Sequence, residues 1–293
     1  MSTIITILIT LLVSCAFAVV ATAAGCLLAG VDRRITARMQ GRVGPPILQP
    51  YYDVRKLLAK ENASPNAAIG TYVFWALLFT FVAGGIFFSG GNFLLCTFVI
   101  TLAEMLFIMA AYAARSPFAE VGAHREILQA MAYEPMVILL AVGFFLACGS
   151  FDTATLLHMP HPIICSTLGF FLGMCYILTI KLRKSPFDLS YAHHAHQDLV
   201  KGITTEMSGK VLAQVEIMHW CENVLFLAWV GMFFVWGNPI CIVVVVVVLT
   251  VLYFLEIWID NNFARVKWQL LLKSTWIVTL VCAGINLAVL IYL

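Results

Sequence analysis

Charge is what this sequence lacks most. Asp, Glu, Lys and Arg make up 11% of its 293 residues, against roughly 25% in ordinary soluble domains. A chain so poor in charge cannot clothe a folded surface for water, which argues against a soluble globular domain. The formal net charge is +2, so no basic footprint for nucleic acid is present. Cysteine is not rare, but none of the nine stand in a C-x-x-C spacing. That removes the usual pattern of a zinc or iron–sulfur site held by one chain. Cys15, Cys96, Cys148, Cys175 and Cys282 lie inside apolar runs and read as small apolar residues. The N-terminus lacks the basic segment of a cleaved leader, so the first apolar stretch reads as a retained helix.

What the sequence has in abundance is hydrophobic length. Apolar side chains account for 62% of it, and the mean hydropathy is +0.97. Runs of about 20 apolar residues recur along the chain, the length of a membrane-spanning helix. Backbone polar groups in lipid must be satisfied within each segment, so even the valine run 243–248 is expected to be helical. The expectation is an all-α integral membrane protein with eight spans, at 4–30, 69–89, 93–113, 132–149, 163–181, 211–236, 239–259 and 270–292.

The loops between these spans sort by charge. All 17 Lys and Arg fall in segments 31–68, 114–131, 181–210 and 260–273, and none falls in 90–92, 150–162 or 237–238. The positive-inside rule places the basic segments in the cytoplasm and both termini outside. Within the first basic segment, Ile47, Tyr51, Val54 and Leu58 follow a helical spacing, and Gln49, Asp53, Lys56 and Lys60 follow it on another face. This predicts an amphipathic helix against the membrane surface or a partner. No loop is long enough for a soluble catalytic domain.

Charges inside spans are costly and therefore invite a functional reading. Glu104, Glu134, Glu216, Glu222 and Glu256 all fall in or at the edge of apolar segments. Glu216, His219 and Glu222 are three residues apart, so successive side chains are helix neighbours and could relay protons through water. The plainer alternative is that they join helices by hydrogen bonds. The stretch SPFDLSYAHHAH (185–196) holds three of the seven histidines. His193 and His196 share a helical spacing that could seed a metal site, but apart from Asp198 no ligand pattern completes it. A titrating, partner-facing cluster fits better, and no metal is expected.

Four stretches together carry a family resemblance: GRVGPPILQPYYDVRKLLAKE (41–61), EVGAHREILQAMAYEP (120–135), SPFDLSYAHHAHQDLVKGITTEMSG (185–209) and NNFARVKWQLLLKSTW (261–276). They resemble the cytoplasmic loops of the complex I subunit NuoH and its relatives in membrane-bound hydrogenases. The resemblance covers nearly the whole chain as one membrane domain. Quinone-reducing members usually carry glutamates after PFDL. This chain has His193, His194 and His196 there, a version that looks like EchB, the membrane subunit of energy-converting Ech-type nickel–iron hydrogenases.

The resemblance implies a protein that holds no redox cofactor itself. The nickel–iron centre and iron–sulfur clusters would sit in partner subunits. Those partners would be the hydrogenase small and large subunits, an iron–sulfur subunit and an antiporter-like membrane subunit, with ferredoxin as an indirect donor. Glu134 of AYEP and Glu206 of TEMSG match acidic positions of the family's proton path. Glu216, His219 and Glu222 join them on their physical placement. Asp188 of PFDL and Arg125 of GAHRE match loop positions near the redox interface. The NuoH component of a quinone-reducing complex I, and the membrane component of a formate- or CO-linked hydrogenase, remain the alternatives.

Overall fold

A computed structural model describes residues 2–191 and 200–292. The described residues form helices α1 (Ser2–Met39), α2 (Gln49–Ala59), α3 (Ala67–Phe88), α4 (Phe93–Ala113), α5 (Pro117–Cys148), α6 (Leu168–Lys181), α7 (Gly209–Gly231) and α8 (Ile240–Asn262). The last is α9 (Trp268–Tyr292), which contains a π-helical turn at Thr279–Gly284. Seven of these helices are long and apolar enough to cross a membrane, and the chain is a multi-pass membrane protein. The starts are set by local chemistry. Asn66 and Asn92 cap α3 and α4 through their side chains, and Pro117 opens α5, where its missing N–H costs nothing.

Three expected boundaries are corrected. Segment 114–131 is not a loop. Almost all of it is the first half of α5, because Ala119, Gly122, Ala123 and Glu126 are buried there against other elements. Arg33, Arg34 and Arg38 belong to the end of α1 rather than to the loop after it. The fifth span is shorter than 163–181. Only its 14 residues from Leu168 are α-helical, about 21 Å against a hydrocarbon layer of about 30 Å. Its start therefore lies inside the bundle. Asn286 of α9 makes that possible by accepting from the Gly169 and Phe170 N–H groups and donating to the Ser166 carbonyl.

Helix α2 forms where expected. Pro50 and Val54 are buried and Leu57 is partly so, packed beside α7 and α1. Tyr51 and Leu58 remain 53% and 48% exposed. Asp53 binds the helix to α1 through Arg33, at 2.6 Å.

The loops gather at two ends. The base-free turns meet each other: Phe93 N–H donates to the Phe151 carbonyl, Thr153 N–H to Gly91 and Gly237 N–H to Met159. The basic loops meet at the opposite end. There Ala63 N–H donates to Ser208 Oγ, Ser185 N–H to Asp260 and Val266 N–H to the Pro186 carbonyl. At this end Gly122 lies so close to the turn Gly202–Thr204 that a Cβ would stand 2.4 Å from the Ile203 nitrogen.

Candidate functional site: a buried row of ionisable groups

The centre of the bundle is not wholly apolar. Lys181, the last residue of α6, and the Leu182-Arg183-Lys184 that follow it supply three cations, each sent to a different group of acids. Lys181 pairs with Glu104 of α4, which also accepts from the Tyr133 hydroxyl of α5. The Lys181 ammonium lies 3.7 Å from the centroid of the Tyr133 ring and 4.6 Å from that of Phe226. Arg183 lies 3.5 Å from both Glu126 of α5 and Glu222 of α7. Lys184 reaches Asp32 of α1 at 2.7 Å and Asp260 of α8 at 4.0 Å. A buried charge persists only when paired and hydrogen-bonded, so these pairs fix how six helices meet.

Three cavities string along this row. The largest, about 720 Å³, lies at the basic end and is bordered by Arg33, Asp32, Asp188, Tyr191, Glu216, His219 and Arg183, among others. Arg183 also borders the second, of about 10 Å³, with Glu126, Glu222, Glu104, Tyr133 and Lys181. Tyr133 and Lys181 in turn border the third, of about 50 Å³, together with Thr97, Thr101 and Glu134. The cavities therefore share walls in sequence, and ionisable side chains line the way from the basic end to Glu134.

At the mouth of the row the electrostatics are set by burial and neighbours. Burial alone would favour loss of the Arg183 proton, but Glu126 and Glu222 more than offset it and raise its pKa. Burial, then the Glu216 carboxylate, push the Tyr191 phenol up to about 12.

The sequence-derived site residues divide. Glu134 and Glu222 stand in the row, and each has a buried carboxylate oxygen without a hydrogen-bond partner among the described residues. Glu216 and His219 border the large cavity, with the His219 ring edge-on to Phe107 and Tyr191 at 5.6 and 6.3 Å. Glu206 is half-buried in the segment before α7 and borders none of the three cavities. Asp188 is buried and its carbonyl accepts from Arg265, whose guanidinium lies 3.6 Å from the Asp188 carboxylate. Arg125 donates to the Leu189 carbonyl at 3.3 Å. Asp188 also borders the large cavity, while Arg125 borders none of the three. His193, His194 and His196 lie outside the described residues.

Sequence reasoning missed Glu126, Tyr133, Lys181 and Arg183 as members of the row. A signal was present. Glu126, Gln129 and Tyr133 follow i, i+3, i+7 and so share one helix face, which is buried throughout.

Residues 11–291 match the family model described as NADH dehydrogenase. The chain belongs to that family. It is 27% identical to formate hydrogenlyase subunit 4 of Escherichia coli K12, over 88% of this chain and 92% of the relative. It is 28% identical to hydrogenase-4 component C of the same organism, over 86% and 87%. NADH-ubiquinone oxidoreductase chain 1 of Mycosarcoma maydis is 24% identical over 93% and 89%. A chain of the archaeal membrane-bound sulfane sulfur reductase, described as a respiratory membrane complex, shares the fold with a TM-score of 0.85 at 22% identity, covering 96% of this chain and 99% of that one. By name these relatives are a subunit of formate hydrogenlyase, a component of hydrogenase-4 and a chain of NADH-ubiquinone oxidoreductase.

Proposed function

We propose that the chain is the membrane component of a ferredoxin-dependent, ion-translocating nickel–iron hydrogenase of the Ech type. It anchors the small, large and iron–sulfur subunits on its basic end and abuts an antiporter-like membrane subunit. The redox chemistry, reduced ferredoxin plus protons to hydrogen, takes place on the partners' nickel–iron and iron–sulfur centres. This chain couples that chemistry to proton or sodium movement. It lies in a prokaryotic plasma membrane, both termini outside and the basic end in the cytoplasm.

The observation that carries the coupling role is the row from the large cavity through Arg183, Glu222 and Glu126 to Lys181, Glu104 and Glu134. Ionisable groups at this depth are costly and are kept where charge or protons move. Carboxylate oxygens of Glu126, Glu222 and Glu134 that lack a partner among the described residues can take up or release a proton through an intervening water. Coupling is assigned to His193, His194 and His196 on their sequence position, just after Tyr191 at the cavity wall. The hydrogenase names of the two Escherichia coli relatives support the hydrogenase assignment. The formate hydrogenlyase name also favours a second reading, in which formate rather than ferredoxin is the donor.

The test uses the intact complex in sealed vesicles, following ferredoxin- or formate-driven hydrogen evolution together with ion uptake. The wild type is expected to evolve hydrogen from reduced ferredoxin and build a gradient, and Glu134→Gln to evolve hydrogen without one. Full ion uptake in Glu134→Gln would make the chain an anchor. Replacing His193, His194 and His196 together with Ala is expected to lower ions moved per hydrogen. An unchanged ratio would remove the histidines from the coupling scheme.

A further inference from the structure

We propose that Glu126, Glu222 and Arg183 form one proton-binding site, in which two carboxylates share a single exchangeable proton and Arg183 sets that number at one. The proposal rests on the proton-row reading above and names two residues, Glu126 and Arg183, to which the sequence analysis gave no role.

The contrast with Glu104 locates the site. Both oxygens of Glu104 are engaged, one by Lys181 and the other by Tyr133. Glu126 and Glu222 differ. They are 8% and 2% exposed, and each places one oxygen 3.5 Å from the same Arg183 nitrogen, Nη2. The remaining oxygen of each, Glu126 Oε2 and Glu222 Oε1, is buried and has no hydrogen-bond partner among the described residues. Both acids border the cavity of about 10 Å³, the size of about one water molecule.

Charge then sets the stoichiometry. One guanidinium between two carboxylates leaves one negative charge. Among the described residues, the groups facing the cluster from the other elements do not cancel it: Lys181 and Glu104 neutralise each other, while Gln129 and Tyr133 are uncharged when Tyr133 keeps its proton. His219 borders Arg183 from the large cavity. An uncompensated buried charge is costly, and adding one proton to the acid pair removes it. Carboxylates that face the same guanidinium nitrogen and the same small cavity titrate as a pair, so the proton belongs to the cluster rather than to either residue. Arg183 is the positioning residue. Its backbone is held at φ 53° as the left-handed cap that closes α6, with the Arg183 N–H donating to the Ile180 carbonyl and the Lys184 N–H to that of Thr179. Its other side borders the large cavity, so a proton reaches the pair past Arg183.

The test reads protonation directly, by infrared difference spectroscopy of the intact complex in H2O and D2O, in the carboxylic C=O stretching region. Glu126→Gln and Glu222→Gln are each expected to lose the same single carboxylic band. Arg183→Lys keeps the cation and should keep the band. Arg183→Leu removes the cation, leaves both acids and should roughly double the band. A band that survives Glu126→Gln but not Glu222→Gln would assign the proton to Glu222 alone and overturn the shared site. An unchanged band in both variants would overturn it as well. If Arg183→Leu does not assemble, the two Gln variants and Arg183→Lys decide the matter. Ion uptake by Glu134→Gln is a separate readout. Full uptake there with the expected bands would sink the transport role and leave the site standing. Lost uptake with no band change in Glu126→Gln would do the reverse.

Discussion

Single charges decide the interior of this protein. Lys181 illustrates the point, because in sequence it is one of several cations in a segment that satisfies the positive-inside pattern. In the fold it is buried and paired with Glu104. Breaking such a pair from one side leaves a lone charge in apolar surroundings. Lys181→Met should therefore destabilise the protein by about 3–5 kcal/mol, read as a lower midpoint of thermal unfolding in detergent. Adding Glu104→Gln to Lys181→Met should restore most of the loss, since the orphaned charge is gone. A double variant no more stable than the single one would show that the pair is not what holds this contact. Glu104, Glu134 and Glu222 were legible at this scale, because an acid in an apolar run stands out, whereas Glu126, in a stretch rich in polar residues, was not. Their partners were not, because a cation at the end of a helix looks the same whether it turns outward to water or inward to an acid.

At the scale of helices, most starts and lengths follow from the sequence, and the exceptions follow from packing. Helix α5 extends through a segment with enough polar residues to read as a loop. The polar residues Glu126 and Gln129 face the interior, and Gln129 donates to the Phe187 carbonyl. Helix α6 begins inside the bundle because Asn286 caps it from α9. Asn286→Ala strands those backbone groups. The expected cost is about 1–3 kcal/mol per buried group left unsatisfied, with a lower unfolding midpoint and faster amide exchange at Gly169 and Phe170. Unaltered exchange at those two amides would contradict the capping role. Gly122→Val is expected to push the turn at 202–204 off α5, because the added side chain meets backbone rather than a flexible side chain. The result should be a loss of assembled protein, seen as a reduced yield of the intact complex.

Across the whole molecule, the division of basic from base-free loops is also a division in space. The turns without Lys or Arg hydrogen-bond to one another at one end, and the basic segments do so at the other. This gives the orientation a direct test. His158 is exposed in the base-free segment 150–162. With the exposed Cys15 and Cys165 changed to Ser, His158→Cys should react with a membrane-impermeant maleimide in intact cells. Lys56→Cys in the same background should react only after the membrane is opened. The opposite pattern would invert the topology.

The sequence by itself determined that the chain is a helical membrane protein, roughly where its helices run, which loops share a side and most of the acids that lie within the apolar layer. These properties depend on composition and on spacing along the chain, and both can be read locally. Only the tertiary structure decided which cation meets which acid, that Glu126 and Arg183 join Glu222, that Glu206 stands apart from the row, and that the three cavities share walls. Those outcomes depend on residues dozens to more than a hundred positions apart being brought within a few ångströms, as Lys184 and Asp32 are. Helix packing sets such distances, and the spacing of residues along a single helix does not encode them.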